Sequence, residues 1–370
     1  MIRKVAIILV ALAVVLLAAA GAFAALLVSI DNDMYDVGPT SAALVDQAVG
    51  IVDPKDLRLS GDLLLTSNRS AGFGFRPLGD PSREPQSLFP AVFVGSIAPG
   101  GHYVVAWTGS RWQIVRLSDL HAVAEIQGAE PFFIDDHRVL AVFQGKGCGR
   151  QDATILDLRE RTASKIRLSG DKAALSPVAV DGSVVVAQRL ARGDSACTTA
   201  GFARVDLGTG SVRTLTKVGS VIAVNRGHVW LGEGDAVKVF DANGLTASSS
   251  PRVTAAASDG GVVYAETPYH LRGDGIAPDA PTRLRFGAPT GPRPEDPAGD
   301  AVLEPRQISA VPGSAAVVVA HRGRDLPEGG HATVLSWCVL PQLRCRELFD
   351  VTFDGARVVG VVSANAFKTA

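Results

Sequence analysis

Residues 131–168 read PFFIDDHRVLAVFQGKGCGRQDATILDLRERTASKIRL, and this stretch decides the fold. It divides into four short β-type segments: Pro131-Phe-Phe-Ile134, Val139-Leu-Ala-Val-Phe143, Ala153-Thr-Ile-Leu-Asp157 and Ala163-Ser-Lys-Ile-Arg-Leu168. The tight polar turn Asp135-Asp136 joins the first two, and the third ends on an Asp before a polar corner. Apolar, β-branched segments bounded by turn residues are strands, so the unit reads as a four-stranded antiparallel meander.

The unit recurs. The turns Pro99-Gly100-Gly101, Asp135-Asp136, Asp181-Gly182, Arg226-Gly227, Asp259-Gly260, Pro312-Gly313 and Asp354-Gly355 open into the runs YVVAW, VLAVF, VVVA, VWL, VVYA, AAVVVA and VVGVV. Copies follow one another about every 42 residues between 99 and 354, the period of a four-stranded propeller blade. Third strands at Phe202-Ala-Arg-Val-Asp206 and Val237-Lys-Val-Phe-Asp241 run into the Gly-bearing turns Gly208-Thr-Gly210 and Asn243-Gly244. The runs after the turns are apolar on both faces, as strands covered by a layer on each side are. Neighbouring blades supply such cover, so the fold class is all-β, a seven-bladed propeller, with six or eight blades as the nearest alternatives. The last repeat offers two strands, Val351-Thr-Phe353 and Val358-Val-Gly-Val-Val362. Residues 57–90, with Leu63-Leu-Leu-Thr66, are expected to supply the strands that close the ring.

The N-terminus carries a different signal. After Arg3 and Lys4, the 26 residues Val5–Ile30 hold no charge, more than the ~20 a membrane-spanning helix needs. Apolar residues continue past Ala22-Phe-Ala24 to Ile30, which favours an uncleaved anchor over a signal peptide. Basic residues before it and Asp31, Asp33 and Asp36 after it orient residues 1–4 to the cytoplasm and the rest outside. The expected organisation is an anchor at 5–30, a stalk at 31–56 and a propeller at 57–370, extracytoplasmic on a cell membrane. With four residues ahead of the anchor, a cytoplasmic effector is not expected. Lys+Arg and Asp+Glu number 36 and 37, a balance that argues against nucleic acid as a partner.

The units Ala98-Pro-Gly-Gly-His-Tyr-Val-Val-Ala-Trp107 and Val205-Asp-Leu-Gly-Thr-Gly-Ser-Val-Arg213 resemble the repeats of TolB-type and related WD-repeat-like bacterial propellers. The Trp-Asp pair of WD repeats and the Ser-Pro-Asp-Gly of TolB blades are absent; Ser176-Pro177 stands apart from Asp181-Gly182. The resemblance implies a binding or scaffolding role and carries over no functional residue.

Four cysteines in an exported domain imply two disulfides. Cys148 and Cys197 occupy equivalent loops of consecutive units, and a bond between them would close a loop worth roughly 3–5 kcal/mol. Cys338 and Cys345 flank a hairpin and are expected to pair. The connections between second and third strands are long and charged: residues 145–152 (GKGCGRQD), 190–201 (LARGDSACTTAG), 267–281 (TPYHLRGDGIAPDAP) and 321–331 (HRGRDLPEGGH). In a propeller they share one rim, which makes Arg150, Arg192, Asp194, His270, Arg272, Asp274, Arg322, Arg324, Asp325 and His331 the candidate ligand surface. Arg-Gly-Asp at 192–194 and 272–274 is a three-residue match of the kind chance supplies in Gly-rich loops. The set His321, Asp325, Glu328 and His331 matches no established metal spacing, and His102, His137 and His228 recur beside turns, where packing accounts for them. The Pro-rich stretch Ala288–Ala298 (APTGPRPEDPA) reads as a loop inserted in the fifth blade. No nucleophile elbow, P-loop or HExxH occurs, so no catalytic residue, cofactor or metal is expected. The functional expectation is a module that binds envelope protein or glycan, with an extracytoplasmic hydrolase or lyase on the same fold as the alternative.

Overall fold

A computed structural model describes residues 41–68, 72–79, 85–143, 152–167, 174–192, 197–233, 236–249, 252–258, 260–267, 269–272, 275–278, 282–302, 305–311, 314–325, 331–351 and 357–368. The described residues begin with β1 (Ser41–Ala48), β2 (Asp62–Asn68), β3 (Gly72–Pro77) and β4 (Gln86–Phe89). Blade 1 follows as β5 (Phe93–Ile97), β6 (Tyr103–Trp107), β7 (Trp112–Arg116) and β8 (His121–Gln127), and blade 2 as β9 (Pro131–Phe133), β10 (Arg138–Phe143), β11 (Asp152–Asp157) and β12 (Thr162–Arg167). Blade 3 is β13 (Ala174–Asp181), β14 (Val184–Arg192), β15 (Cys197–Asp206) and β16 (Val212–Thr216); blade 4 is β17 (Ser220–Asn225), β18 (His228–Glu233), β19 (Ala236–Phe240) and β20 (Leu245–Ser249). Blade 5 starts with β21 (Arg252–Ser258) and β22 (Gly261–Thr267), inserts the separate hairpin β23 (Tyr269–Arg272) and β24 (Gly275–Pro278), and ends with β25 (Arg283–Gly287) and β26 (Ala298–Val302). Blade 6 is β27 (Pro305–Ala310), β28 (Ala316–Asp325), β29 (His331–Val339) and β30 (Arg344–Val351). Blade 7 joins β31 (Arg357–Ser363) to β2, β3 and β4.

The seven first strands close a ring: β5 meets β9, β9 meets β13, and so on through β17, β21 and β27 to β31, which returns to β5. Each has one edge outside its sheet. Pro131, Pro177 and Pro305 all fall on these strands, where a residue without an N–H disrupts fewest ladder bonds.

The apolar runs behave as their two-faced pattern requires. On β14, Val185 and Ala187 pack with Leu140 and Val142 of blade 2, while Val184 and Val186 pack with Val229 and Leu231 of blade 4. Burial on both sides is what removes alternation from the sequence. The turns are equally direct. Arg226 and Gly227, at φ 48° and 76°, form a two-residue connection between the paired residues Asn225 and His228, and two positive φ values in sequence are the signature of a type I′ hairpin.

Two expectations change. Six of the seven runs are second strands, but VVGVV is the first strand of blade 7; its second strand is β2, with Leu65 opposite Gly360 and Leu63 opposite Val362. The C-terminus therefore gives one strand to the closing blade and residues 62–89 give three, and Val351 ends blade 6. Second, residues from 41 onward are not stalk. β1 is a fifth, outermost strand of blade 1, running antiparallel to β8 from Ser41 opposite Gln127 to Ala48 opposite His121. Val49, Val52, Leu57 and Leu59 then pack against the core of blades 7 and 1. The segment escaped a strand reading because β1 is mostly exposed and does not alternate. The anchor expected at 5–30 lies outside the described residues, among which no helix is long and apolar enough to cross a membrane.

Candidate functional site

Because every blade is an antiparallel meander, the connections between first and second strands and between third and fourth strands share one rim. Those between second and third strands form the other. The two rims differ in how far their connections extend.

On the turn rim, polar groups are spent on neighbours. The Gly100 N–H donates to Asp136 Oδ1, linking blade 1 to blade 2. The Gly227 N–H donates to Asp181 Oδ2 at 3.2 Å, and Arg204 donates to the Gly227 carbonyl, so blade 3 holds the turn of blade 4 from two sides. Arg213 Nη1 donates to the Ala242 carbonyl at 2.6 Å, again from blade 3 to blade 4. Asn225 Nδ2 donates to the Gly261 carbonyl at 2.6 Å, joining blade 4 to blade 5.

The Asp that ends several third strands has a local task on the same rim. Asp157 Oδ1 accepts from the N–H groups of Arg159 and Glu160, Asp206 Oδ1 from the N–H and hydroxyl of Thr209, and Asp241 Oδ1 from the N–H groups of Asn243 and Gly244. These are Asx-type turns that satisfy the corner without water. The Thr209 bonds hold the Asp206 carboxyl below the usual range, and the Asn243 bond does the same for Asp241.

An open cleft of about 490 Å³ lies on this rim among Pro99, Ile134, Asp135, His137, Asp157 and Glu160. Its aspartates are engaged: Asp135 accepts from the N–H groups of His137 and Arg138 and from Arg138 Nε, and Asp136 and Asp157 are bound as above. His137 Nδ1 is buried without a hydrogen-bond partner, its ring edge-on to Tyr103 at 6.3 Å. No group of three or more His, Cys, Asp or Glu among the described residues could hold a metal. The recurrent histidines sit at second-strand starts, as the sequence suggested.

The Pro-rich stretch is a strap more than a free loop. Tyr264 donates to Asp296 Oδ2 at 2.8 Å, the Arg293 N–H donates to the same oxygen at 2.9 Å, and Trp230 Nε1 of blade 4 donates to the Pro289 carbonyl at 2.7 Å. The Trp230 and Tyr264 rings meet at 5.6 Å, and both residues are fully buried. Burial, and then the Asp296 carboxylate, push the Tyr264 hydroxyl far above the usual tyrosine range.

The opposite rim is raised by secondary structure. The connections expected as loops are continued strands: β14 and β15 pair out to Arg192 opposite Cys197, and β28 and β29 out to Asp325 opposite His331. In blade 5 the insertion is a hairpin with Arg272 opposite Gly275. The backbone thus brings Arg192, His270, Arg272, Arg322, Arg324, Asp325 and His331 to one rim, and the Arg322 side chain is exposed. Arg150, Asp194 and Asp274 lie outside the described residues, as do Cys148, Glu328 and residue 193 and 273 of the Arg-Gly-Asp matches. The Cys148–Cys197 pairing is therefore not placed. His321 is occupied elsewhere, its Nε2 hydrogen-bonded to the buried Ser336 hydroxyl at 2.9 Å. Cys338 and Cys345, directly opposed on β29 and β30, form a disulfide with Cα atoms 4.0 Å apart.

No protein-family model and no curated sequence matches the chain. Among solved structures, one from a study of two prolyl endopeptidases is 11% identical, covers 88% of this chain and 50% of its own, and has a TM-score of 0.52. A post-proline cleaving enzyme from Rickettsia typhi is 8% identical over 88% of this chain and 55% of its own, with a TM-score of 0.50. TolB from Acinetobacter baumannii is 14% identical over 82% and 66%, with a TM-score of 0.39. At such identities the likeness concerns fold alone. The chain is a seven-bladed propeller loosely similar to TolB-type proteins.

Proposed function

We propose that this protein is a membrane-anchored, extracytoplasmic propeller that binds an envelope protein or glycan on the rim of its second-to-third-strand hairpins. One observation carries the reading: the turn rim is made of short connections, several of which are tied to the neighbouring blade, while the opposite rim is extended by two long hairpins and an inserted one. Rigid strands that raise charged residues above a scaffold suit recognition, since binding groups sit best on positions that the scaffold holds in place. The apolar run at 5–30 supplies the anchor of this reading, and the disulfide-bonded Cys338 and Cys345 suit an oxidising compartment.

The test is affinity capture on detergent-solubilised full chain, comparing wild type with Arg192→Ala, Asp274→Ala and Arg324→Ala. Loss of a specific partner in at least one variant, with unchanged unfolding, supports the rim. Identical partners on all variants contradict it. Turnover of a polysaccharide or peptide that a rim carboxylate substitution abolishes would instead support the hydrolase or lyase alternative.

A further inference from the structure

The described chain enters the propeller at the rim of the second-to-third-strand hairpins. β1 runs from Ser41 opposite Gln127 to Ala48 opposite His121. His121 follows the turn between the third and fourth strands of its blade, so Ala48 lies at the turn rim and Ser41 at the hairpin rim. Ten residues, 31–40, separate Ser41 from the apolar run that ends at Ile30. A flexible chain of that length spans about 16–19 Å on average and about 35 Å at full stretch. β1 alone is about 23–27 Å long. Bringing the turn rim to a bilayer would oblige the connection to run back along β1 and through a headgroup layer of about 5–7 Å. That takes nearly its whole contour and most of its conformational entropy. The hairpin rim needs no such stretch.

Beside the entry point, the same rim carries an aromatic row. Phe93 pairs with Trp107, Trp107 with Trp112, Trp112 with Ile126, and Ile126 with Ala42. Directly opposed residues share a face, so the row crosses all five strands of blade 1 and ends on the second residue of β1. Trp112 is two strand spacings from Ala42, about 10 Å. Phe93, Trp107 and Trp112 are only partly buried, with centroids 5.2 Å apart for the two indoles and 6.1 Å for Phe93 and Trp112. Val92, beside the turn at Gly109, is 43% exposed. The Thr108 N–H and hydroxyl both donate to the Arg111 carbonyl and close that turn, and Arg111 Nη1 donates to Glu125 at 2.8 Å. Indoles left partly in water beside an exposed aliphatic side chain have the character of residues at a membrane–water boundary, where the amphipathic ring sits at headgroup depth.

We infer that the hairpin rim faces the bilayer and that its blade 1 sector, with Val92, Trp107 and Trp112, rests on the lipid interface. This rests on the reading of residues 5–30 as an anchor, and it narrows the partner of the rim to one displayed at the same membrane surface. Two observations meet at one place: the short connection ends at Ser41, and the exposed apolar group lies in register with it. A tethered surface also meets the row at a high effective concentration whether or not any other partner is present. The hairpins of blades 3, 5 and 6, on the same rim, then stand over the lipid surface.

The experiment reconstitutes the full chain in phosphatidylcholine vesicles whose acyl chains carry bromine near the headgroup, and reads tryptophan fluorescence. Bromine quenches wild type, Trp107→Phe combined with Trp112→Phe removes most of that quenching, and Trp337→Phe, on blade 6, leaves it. In the double variant, Val92→Trp restores quenching, whereas Leu245→Trp, at a turn-rim position 56% exposed, does not. The inference is overturned if wild type is not quenched, if the double variant is quenched as strongly as wild type, or if Leu245→Trp is quenched and Val92→Trp is not. Alkaline carbonate separates the two readings. A chain stripped from the vesicles overturns the anchor and the docking with it; a chain that stays but is not quenched overturns the docking alone.

Discussion

The two rims of this propeller are built from the same strands yet differ in form, short tied turns on one and extended hairpins on the other. At the turn rim, Asp136, Asp181, Arg204, Arg213 and Asn225 each reach a neighbouring blade. At the hairpin rim, β14–β15, β23–β24 and β28–β29 project charged residues beyond the ring. A closed ring needs side-to-side adhesion, and short turns place side chains within reach of the next blade. The contrast predicts that substitutions on one rim cost stability and on the other cost recognition.

The largest effect should come from opening the ring itself. A chain ending at residue 356 lacks β31 and with it Val361 and Val362, both 1% exposed, and leaves the β2 edge unpaired. It should show no cooperative unfolding transition in urea, whereas the full chain should show one. Next is the strap. Tyr264→Ala removes a fully buried ring and should cost about 3–5 kcal/mol in urea unfolding. Tyr264→Phe adds a pH test with a definite sign. The folded hydroxyl titrates above its unfolded value, so the stability due to its neutral form is complete below about pH 10 and is lost as pH rises beyond it. Wild type should therefore lose more stability between about pH 8 and 10.5 than Tyr264→Phe does.

A smaller effect is expected for the ties between blades. Arg204→Ala frees the Gly227 carbonyl and should cost about 1–3 kcal/mol, again by urea unfolding, without changing ligand capture. The smallest belongs to the opposite rim: replacing residues 269–278 with a two-residue turn should shift stability by less than about 0.5 kcal/mol. If that replacement destabilises the protein as Arg204→Ala does, the division of labour between rims fails.

Much of the fold was legible because burial on both faces removes alternation: runs such as Val184–Ala187 can only be strands between layers. Ring closure by residues 57–90 was legible for the same reason, through Leu63, Leu64 and Leu65. β1 was not, since Ser41–Ala48 is a mostly exposed strand of small and polar residues that matches no period. Nor was the role of VVGVV, because Val362 is buried in the core between blades 7 and 1 and Val361 in that between blades 7 and 6, and a first strand so apolar looks like a second one. The Asp corners announced themselves by recurrence at Asp157, Asp206 and Asp241, whereas the reach of Arg204 to blade 4 depends on ring geometry that sequence spacing does not encode. The aromatic row had a signal that only register reveals: Trp107 and Trp112, five positions apart in the chain, become opposite neighbours once the turn between them is known.

The central claim concerns which rim receives the ligand, and hydrogen–deuterium exchange of the full chain with and without a captured partner or saccharide reads it directly. The account predicts added protection at residues 107–112, 190–199, 269–278 or 322–333. Protection confined to the turns at 99–101, 135–138 and 226–227 would contradict it.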